Sequence, residues 1–367
     1  MKIPFVDLSA QYQSIKREID TAIQSVINDT AFVRGKYVAE FEQRYAQACG
    51  VDHCVSCANG TDAIYITLKA LGIGRGDEVI TVANSWISSS ETVTQVGARP
   101  VFVDIHPDYY NIDVSRIEKK ITSRTKAVIA VHLFGQPADI DTIKQICDMH
   151  SLYLIEDCAQ AHFAEYGGRK VGTFGIAGTF SFYPGKNLGC YGDGGAIISN
   201  DDSLALRARM FANHGSSNKH KHEFEGINSR LDGIQASILC AKLAHIHDWN
   251  EKRKEKALLY NGVLGHLDSL QVPRIHPEAT HVFHLYVIRT KMREMLQNYL
   301  AEQGIATGIH YPRALPFQQA YEYLGHEPED FPVAYEYQDQ ILSLPLYPEM
   351  TEEMIEQIGE HVRGALS

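Results

Sequence analysis

The sequence of 367 residues has no excess of positive charge and no long apolar run. Its 34 lysines and arginines stand against 45 aspartates and glutamates, a formal net charge of −11. Binding to nucleic acid or anionic membranes over a broad surface needs clustered positive charge, so such partners are excluded, although a local basic pocket is not. No stretch is long and apolar enough for a membrane helix, and MKIPFVDLSAQYQSI lacks the apolar region of a signal peptide. We therefore expect no membrane association.

Cysteine and histidine occur without the spacing that disulfide or metal frameworks need. The seven cysteines are odd in number and scattered through apolar segments, which indicates a reducing, cytoplasmic setting. Cys54 and Cys57 form a C-x-x-C pair, but it lies at a strand's end rather than opening a helix, so buried structural thiols fit better than a redox pair. His220 and His222, in NKHKHEF, have no cysteine or carboxylate at ligand spacing, so we predict no metal site. That polar stretch is either a solvated loop or a contact for a nucleotide diphosphate.

Length and patterning together predict an α/β protein of two domains. Hydrophobic content of 44% and charged content of 22% are typical of a globular chain, and 367 residues exceed one simple core. Apolar β-rich runs alternate with helical patterns up to about residue 200, which predicts a mostly parallel sheet covered by helices on both faces. We predict a large domain at 1–250 and a smaller C-terminal α/β domain at 251–367, with the boundary inside a long helix.

The individual elements follow from the same patterns. Helices are predicted at 11–28, 37–48, from 61, from 85, at 113–121, 139–150, 202–213, 231–266 and 291–304. Strands are predicted at 77–82, 100–105, 126–132, 152–157, 178–183, 194–200, 281–289 and near 305.

Two motifs place chemically useful side chains at strand ends. Lys186 lies in SFYPGKNLGCYGDGG, a run whose glycines let the backbone turn sharply, and it is either a solvated surface charge or the covalent anchor of a cofactor. Asp157, in YLIEDCAQA, ends an apolar strand and either caps the next helix or pairs with a protonated ring nitrogen. Gln160 could reach the same ligand.

Three further segments suit a phosphorylated aromatic ligand. Gly60 and Thr61, in ANGTDA, enter a helix whose free N–H groups and dipole favour a phosphate, although Asn59, Gly60 and Thr61 could simply cap that helix. Ser181 ends a strand and could donate its hydroxyl to the same phosphate. Trp86 could stack on a ring or belong to the core. A phosphate cradle, a stacking aromatic, an acid for a pyridinium and a lysine are what pyridoxal phosphate requires. A nicotinamide enzyme would need G-x-G-x-x-G, which ANGTDA does not supply.

These motifs resemble the DegT-type nucleotide-sugar aminotransferases, which belong to the fold type I pyridoxal-phosphate enzymes. The resemblance covers nearly the whole chain and rests most on NGTDA, HLFGQPADID, IEDCAQAH, FSFYPGKNLGCYGDGG and NSRLDGIQASIL. It implies that Lys186 holds the cofactor covalently, that Asp157 binds the pyridine nitrogen and that Gln160 contacts the phenolic oxygen.

The remaining contacts are implied by the same resemblance. Trp86 would stack on the ring, and Gly60, Thr61 and Ser181 would bind the phosphate. Asn228, in INSRLDGIQ, would reach the cofactor phosphate across a subunit interface, which implies an obligate homodimer with two shared active sites.

The resemblance also sets the expected reaction. Relatives with histidine in place of Lys186 run dehydration chemistry, so lysine favours transfer of the amino group of L-glutamate to a keto-hexose on dTDP or UDP. The motifs GQPAD and NSRLDGIQ resemble those of relatives that aminate C3 of the hexose more than those of C4 enzymes. We therefore expect amination at C3, which gives an amino sugar for surface polysaccharide or glycoside synthesis. C4 amination of a 4-keto-6-deoxy sugar and a non-catalytic sugar-nucleotide sensor are the alternatives. His310 and Tyr311 are expected to line the sugar site, whereas Phe317 stands where relatives often have histidine, which puts a substrate role there in doubt.

Overall fold

The computed structural model describes residues 2–218 and 220–366, so Lys219 of the histidine-rich stretch lies outside the described residues. The strands are β1 (His53–Cys57), β2 (Glu78–Val82), β3 (Arg99–Val103), β4 (Thr125–Val131), β5 (Tyr153–Asp157), β6 (Glu165–Tyr166), β7 (Arg169–Lys170), β8 (Ala177–Ser181), β9 (Gly195–Ser199), β10 (Ser216–Asn218), β11 (Lys221–His222), β12 (Ala279–Thr280), β13 (Tyr286–Arg289) and β14 (Ile341–Leu344).

The helices alternate with these strands through the first two-thirds of the chain. They are α1 (Leu8–Ser14), α2 (Lys16–Asn28), α3 (Lys36–Cys49), α4 (Gly60–Ala70), α5 (Ser88–Gln95), α6 (Ile140–Met149), α7 (Asp202–Phe211), α8 (Gly233–Leu243), α9 (Ile246–Leu264), α10 (Arg293–Glu302), α11 (Pro332–Tyr337) and α12 (Glu352–Leu366). Short 3-10 turns cover 114–116, 118–120, 133–135, 315–317, 319–324 and 328–330.

A seven-stranded sheet in the order β1-β9-β8-β5-β4-β2-β3 forms the centre of the fold. Strand β9 is antiparallel to both of its neighbours, and the other adjacent pairs are parallel, so β1 runs in the same direction as β8. Strands β2 and β9 are buried along their whole length, as expected for a sheet covered on both faces. The predicted α/β class with a mostly parallel sheet is confirmed.

The C-terminal part of the chain builds a second, smaller sheet. Strand β13 pairs antiparallel with β14, and helices α9, α10 and α12 pack with this pair in one apolar cluster. Ile3 lies in that cluster and pairs with Ile305 in an isolated parallel bridge, so the strand predicted near 305 is reduced to one bridge. The domain boundary at 250 stays a prediction, and it falls inside α9.

Three predicted helices differ from the observed ones, and the first, at 11–28, is interrupted at Ile15 between α1 and α2. The helix predicted at 113–121 is wrong: two 3-10 turns lie there instead, because Ile117 is the sole buried side chain among those residues and gives no apolar stripe for a longer helix. The helix predicted at 231–266 is interrupted at Ala244 and His245. Helix α8 packs on α2 and α3, whereas α9 packs on α12, so the chain changes direction between them.

The strand predicted at 281–289 is shorter in the structure. Its first half is irregular because Phe283 has a positive φ of 44°, and residues on both sides bond to the turn at 133–135: Val282 N donates to Gly135 O, and Leu285 N to Phe134 O. Residues 282–285 therefore contact the turn that follows β4 of the large sheet, and residues 286–289 continue as β13 of the small sheet.

The cysteines are free thiols inside the protein. All seven cysteines are buried and free, and Cys54 and Cys57 belong to different apolar clusters, so they cannot form a pair. Within the described parts of the chain, no helix combines the length and apolar character needed to cross a bilayer.

Candidate active site

A cavity of about 760 Å³ opens at the carboxyl edge of the seven-stranded sheet. The ends of five strands, β1, β2, β4, β5 and β8, reach it. The residues they supply are Asn59, Gly60 and Thr61 after β1, Ser85 and Trp86 after β2, Val131 in β4, Asp157 and Gln160 at the end of β5, and Ser181 in β8. Parallel strands place their carboxyl ends at one edge, which explains why motifs far apart in sequence meet here.

Lys186 lies in the wall of this cavity beside Asp157. Burial lowers the pKa of the Lys186 ammonium to about 8, against the opposing effect of the Asp157 charge. Burial raises the pKa of the Asp157 carboxyl, while the backbone N–H of Ala159 (3.1 Å) and the charge of Lys186 act in the other direction. A lysine with a pKa near 8 has a substantial neutral fraction close to physiological pH, which a covalent nucleophile needs.

The turn that carries Lys186 is tightly folded. Lys186 N donates to Tyr183 O (2.9 Å), and Cys190 N donates to Phe182 O (2.8 Å). A Cβ on Gly189 would come within 2.4 Å of Pro184 O, so glycine is required at this position. The glycine-rich composition of the stretch therefore serves this turn.

Helix α4 begins at the cavity beside Ser181. Of the three residues considered for capping, Asn59 caps it, because its side chain accepts a hydrogen bond from Asp62 N (2.8 Å). A Cβ on Gly60 would lie 2.6 Å from Ser181 Cβ, so glycine here permits the helix start and the end of β8 to meet. The hydroxyl of Thr61 contacts that of Ser88 at 2.7 Å. The positive end of a helix next to hydroxyls is a phosphate-binding arrangement.

Gln160, Tyr311 and Trp86 form one connected group. Gln160 Oε1 accepts from Phe134 N (2.6 Å), and its Nε2 donates to the hydroxyl oxygen of Tyr311 (3.0 Å). The Trp86 ring lies 5.6 Å from that of Tyr311 at 48°, and 59% of Trp86 is exposed. Trp86 is therefore available for stacking and is not a core residue.

The tautomer of His284 is set by a chain of amides. Asn187 Nδ2 donates to Val282 O (3.0 Å) and Asn250 Oδ1 (2.8 Å), so Asn187 Oδ1 is the acceptor in its 3.2 Å contact with His284 Nδ1. His284 therefore carries its proton on Nδ1, and Nε2 has a free lone pair. Burial, together with the charges of Lys186 and Arg253, lowers the pKa of His284 well below its usual value and keeps the ring neutral.

His310 lines the cavity next to Tyr311. Its Nδ1 contacts Ser343 Oγ at 2.8 Å, and the ring stacks on Phe5 with centroids 5.6 Å apart. Burial, with a contribution from the charge of Lys186, lowers the pKa of His310 to about 4. The imidazole is therefore neutral at physiological pH.

Two residues considered from the sequence lie elsewhere. Asn228 is exposed, pairs with Asn213 in an isolated bridge and does not line the cavity. Phe317 packs against the rings of Phe331 (6.1 Å) and Tyr335 (5.2 Å), away from the cavity lining.

One group of potential metal ligands occurs in the described residues, and its atoms have other partners. It consists of His132, Glu156 and Cys158. The Glu156 carboxylate accepts hydrogen bonds from the backbone N–H groups of Gly172 (2.6 Å), Phe174 (2.7 Å) and Gly175 (2.8 Å). His132 Nδ1 accepts from a backbone N–H, so its Nε2 donates to Glu156 at 3.1 Å. The group holds a loop together.

The sequence analysis missed Phe5, Arg253 and His284, which also line the cavity. A signal for Arg253 was present: the buried stripe of α9 runs through Trp249, Arg253, Ala257 and Tyr260, so an arginine stands where an apolar side chain is expected. Phe5 gave no local signal, because it reaches the site through the pairing of Ile3 with Ile305.

The residues present fit a phosphate-bearing aromatic cofactor held by a lysine. A helix start, the glycine contact between Gly60 and Ser181, and two hydroxyls form one end, and a buried carboxylate and a low-pKa lysine lie beyond them. The fold and this set of donors define the chain as a lysine-dependent cofactor enzyme of the α/β class.

Comparison with known proteins gives the family. Residues 13–363 match the model of the DegT/DnrJ/EryC1/StrS aminotransferase family. The dTDP-3-amino-3,6-dideoxy-alpha-D-galactopyranose transaminase of Aneurinibacillus thermoaerophilus is 44% identical, with 98% of each chain covered. The UDP-N-acetyl-3-dehydro-alpha-D-glucosamine 3-aminotransferase of Acidithiobacillus ferrooxidans is 42% identical, covering 99% of this chain and 98% of the relative.

A solved structure agrees over the same length. DesV of S. venezuelae, in complex with a ketimine intermediate, is 41% identical with a TM-score of 0.97, covering 99% of this chain and 98% of DesV. The chain belongs to the DegT/DnrJ/EryC1/StrS aminotransferase family. It is a pyridoxal-phosphate-dependent aminotransferase, as the resemblance implied.

Proposed function

We propose that the protein transfers the amino group of L-glutamate to C3 of a keto-hexose carried on dTDP or UDP. The observation that carries the chemistry is Lys186, enclosed in the cavity with a pKa near 8 and next to the carboxylate of Asp157. The names of the two relatives, both amino transferases that act at position 3 of a nucleotide sugar, support the choice of substrate and carbon. The product would be an amino sugar for surface polysaccharide or glycoside synthesis.

The cofactor-binding residues take the roles that their positions permit. Lys186 Nζ would hold pyridoxal phosphate, and Asp157 would keep the ring nitrogen protonated. Gly60, Thr61 and Ser181 would bind the phosphate at the start of α4. When bound, the cofactor supplies an electron sink for the bond broken at the amino donor's Cα.

Two further side chains position the ring. Gln160, whose amide is oriented by Phe134 N and the Tyr311 hydroxyl, would contact the ring's oxygen with its remaining N–H. Trp86, whose indole is exposed, would stack on the ring. Both contacts orient the ring without taking part in proton transfer.

Lys186 would also be the group that moves the proton. With a pKa near 8, its Nζ would take the proton from Cα of the amino donor, and in the second half-reaction it would give a proton to the sugar carbon that receives the amino group. Because their pKa values are lowered, His284 and His310 are weaker bases than the Lys186 amine, so they do not compete with it for this proton. The sugar lies against His310 and Tyr311.

The active form is a homodimer in the cytoplasm. Asn228 is exposed and does not line the cavity of its own subunit, which suits a residue that reaches the cofactor phosphate of the partner subunit. Seven buried thiols without a disulfide suit a reducing compartment.

One experiment separates this function from its alternatives. The enzyme is incubated with L-glutamate and a panel of 3-keto and 4-keto nucleotide sugars, and the aminated carbon is identified by NMR. Amination at C3 is expected, and product at C4 alone would replace this proposal with the 4-keto-6-deoxy alternative. A non-catalytic sensor would bind a sugar nucleotide, yet its visible absorption would not bleach when L-glutamate is added.

A further inference from the structure

The ring of Phe5 forms one side of a tight enclosure around His310. It stacks on the imidazole with the ring centroids 5.6 Å apart and 21° between the planes, and both side chains line the cavity. A Cβ on Gly308 would come within 2.7 Å of His310 Cε1 and 3.4 Å of Phe5 Cζ, so any side chain there would push the imidazole aside. The imidazole therefore has little freedom to move between these neighbours.

Backbone pairing of the N-terminal segment places Phe5 beside His310. Ile3 N donates to Gly304 O (2.9 Å), Ala306 N donates to Ile3 O (3.0 Å), and the Ile3 side chain is buried in the C-terminal apolar cluster. Phe5 follows this pairing by two residues, and His310 follows it by four. An aromatic ring from one end of the chain thus completes a wall that is otherwise built by the other end.

The hydroxyl of Ser343 sets the tautomer of His310. Ser343 is buried, and among the residues that the structure describes, His310 Nδ1 is the one acceptor that contacts its Oγ (2.8 Å). If Nδ1 carried the proton and donated it to Oγ, the hydroxyl hydrogen would be buried without an acceptor, which is costly. The hydroxyl therefore donates to Nδ1, and the neutral ring carries its proton on Nε2.

We propose that Phe5 is a positioning residue that holds the His310 imidazole so that Nε2–H donates a hydrogen bond to an oxygen of the keto-sugar. A hydrogen bond weakens steeply when its donor turns away from the acceptor, so the orientation of the ring decides its strength. A ring that Phe5 and Ser343 fix in advance also loses less conformational freedom when the sugar binds. The proposal rests on the proposed function, because it assigns the His310 N–H a place in that reaction.

A double-mutant cycle tests whether Phe5 acts through His310. The probe is dTDP-glucose or UDP-glucose, whichever the holoenzyme binds more tightly, because neither has a keto group to be aminated and their hydroxyl oxygens can accept the same N–H. F5A and H310A should each weaken binding about three- to tenfold in calorimetry, as expected for one hydrogen bond between neutral groups. F5A/H310A should match H310A within about twofold, since Phe5 then has no imidazole to hold.

The two half-reactions separate positioning from a general structural role. In F5A, half-saturating keto-sugar in the reaction of the aminated enzyme should rise about three- to tenfold, whereas the reaction with L-glutamate should stay within about twofold. F5L keeps most of the apolar volume but has no flat ring to stack on the imidazole, so it should behave like F5A.

Tyr109 offers a matched control. Its ring stacks on His106 with the centroids 4.7 Å apart and 19° between the planes, and neither side chain lines the cavity. Y109A removes an equivalent contact between an aromatic ring and an imidazole. It should leave the affinity for the sugar nucleotide within about twofold of that of the unmodified enzyme.

Several outcomes would overturn the proposal. One is unchanged sugar-nucleotide affinity in folded F5A, and another is an equal loss in both half-reactions. A loss that persists in full when F5A is added to H310A would show that Phe5 contacts the sugar itself. If neither F5A nor F5L folds, a crystal structure of the unmodified enzyme with the same sugar nucleotide decides: His310 Nε2 must lie within hydrogen-bond distance of a sugar oxygen, with Phe5 stacked on its ring.

Failure of the proposed function is distinguishable from failure of this proposal. The cycle uses a sugar nucleotide that cannot react, so coupling between Phe5 and His310 is measurable even if no amination at C3 is found. Conversely, amination at C3 without such coupling would leave the proposed function in place and remove the role of Phe5.

Discussion

The cavity has two walls of different origin. The cofactor wall consists of residues at the carboxyl ends of the large sheet's strands: Gly60, Thr61, Asp157, Ser181 and, in the turn after β8, Lys186. The C-terminal wall consists of Arg253, His284, His310, Tyr311, Leu344 and Leu346, from α9, the small sheet and the segments beside it. Under the proposed function, the first wall holds the cofactor, whereas the second faces the amino donor and the keto-sugar, which enter and leave. We expect substitutions in the first to affect both half-reactions and those in the second to affect one.

The largest effect is expected for Lys186→Ala. Loss of Nζ removes both the covalent anchor and the base, so amino transfer should fall by at least about 10⁴-fold in a steady-state assay. Both half-reactions should be lost together, as for any residue of the cofactor wall. If Lys186→Ala retained either half-reaction at a tenth of the normal rate, the expectation that residues of the cofactor wall affect both half-reactions would be wrong.

Asp157→Asn comes next. The amide is nearly isosteric but cannot stabilise a protonated ring nitrogen, so both half-reactions should slow by about 10² to 10⁴-fold. Gln160→Asn shortens an amide without changing charge and serves as the comparison, with a smaller loss expected. Stopped-flow absorbance measures the rate of each half-reaction in both variants. A loss of rate in Asp157→Asn that is confined to the half-reaction with the keto-sugar would show that the two walls do not differ in this way.

The pH dependence of cofactor attachment tests the electrostatics of the cofactor wall. Burial lowers the Lys186 pKa to about 8, so the amine is increasingly neutral above that pH. The rate of covalent attachment to the cofactor-free enzyme should therefore rise with pH and reach half its maximum near 8. The Asp157 charge holds this pKa up, so Asp157→Asn should move the midpoint to lower pH. A midpoint at the ordinary lysine value, or a shift upward in the variant, would show that this account of the site is wrong.

The smallest effects are expected from two glycines. Alanine at Gly60 would place its Cβ 2.6 Å from Ser181 Cβ, so the helix start must shift. Such overpacking costs about 1–3 kcal/mol and should weaken cofactor affinity in a titration. Gly262 in α9 has open space where a Cβ would be, so Gly262→Ala should stabilise the protein by about 0.5–1 kcal/mol in thermal melts and leave cofactor affinity unchanged. If the two variants had equal stability and equal cofactor affinity, the close contact between Gly60 and Ser181 would not matter for cofactor binding.

The two walls also differ in how well the sequence predicts them. Motifs such as ANGTDA and YLIEDCAQA combine a strand end with a polar side chain, so the topology of a parallel sheet brings Thr61 and Asp157 together. The C-terminal wall depends on packing between distant segments. His284 reaches the cavity because Phe283 interrupts a predicted strand, and Arg253 because α9 begins after a break at His245. Local patterns carry no information about such packing, and the failed helix at 113–121 shows the same limit of propensity.

Mapping the attached cofactor tests the central claim most directly. The enzyme is loaded with pyridoxal phosphate, reduced with borohydride, digested and sequenced by mass spectrometry. The account predicts a single modified peptide with the cofactor mass on Lys186. Lys242 is a fitting internal comparison, because burial also lowers its pKa to about 8, but its Nζ is engaged by Gln11 Oε1 and Gly189 O outside the cavity lining. Modification at Lys242 or any other lysine, with Lys186 unmodified, would contradict the account.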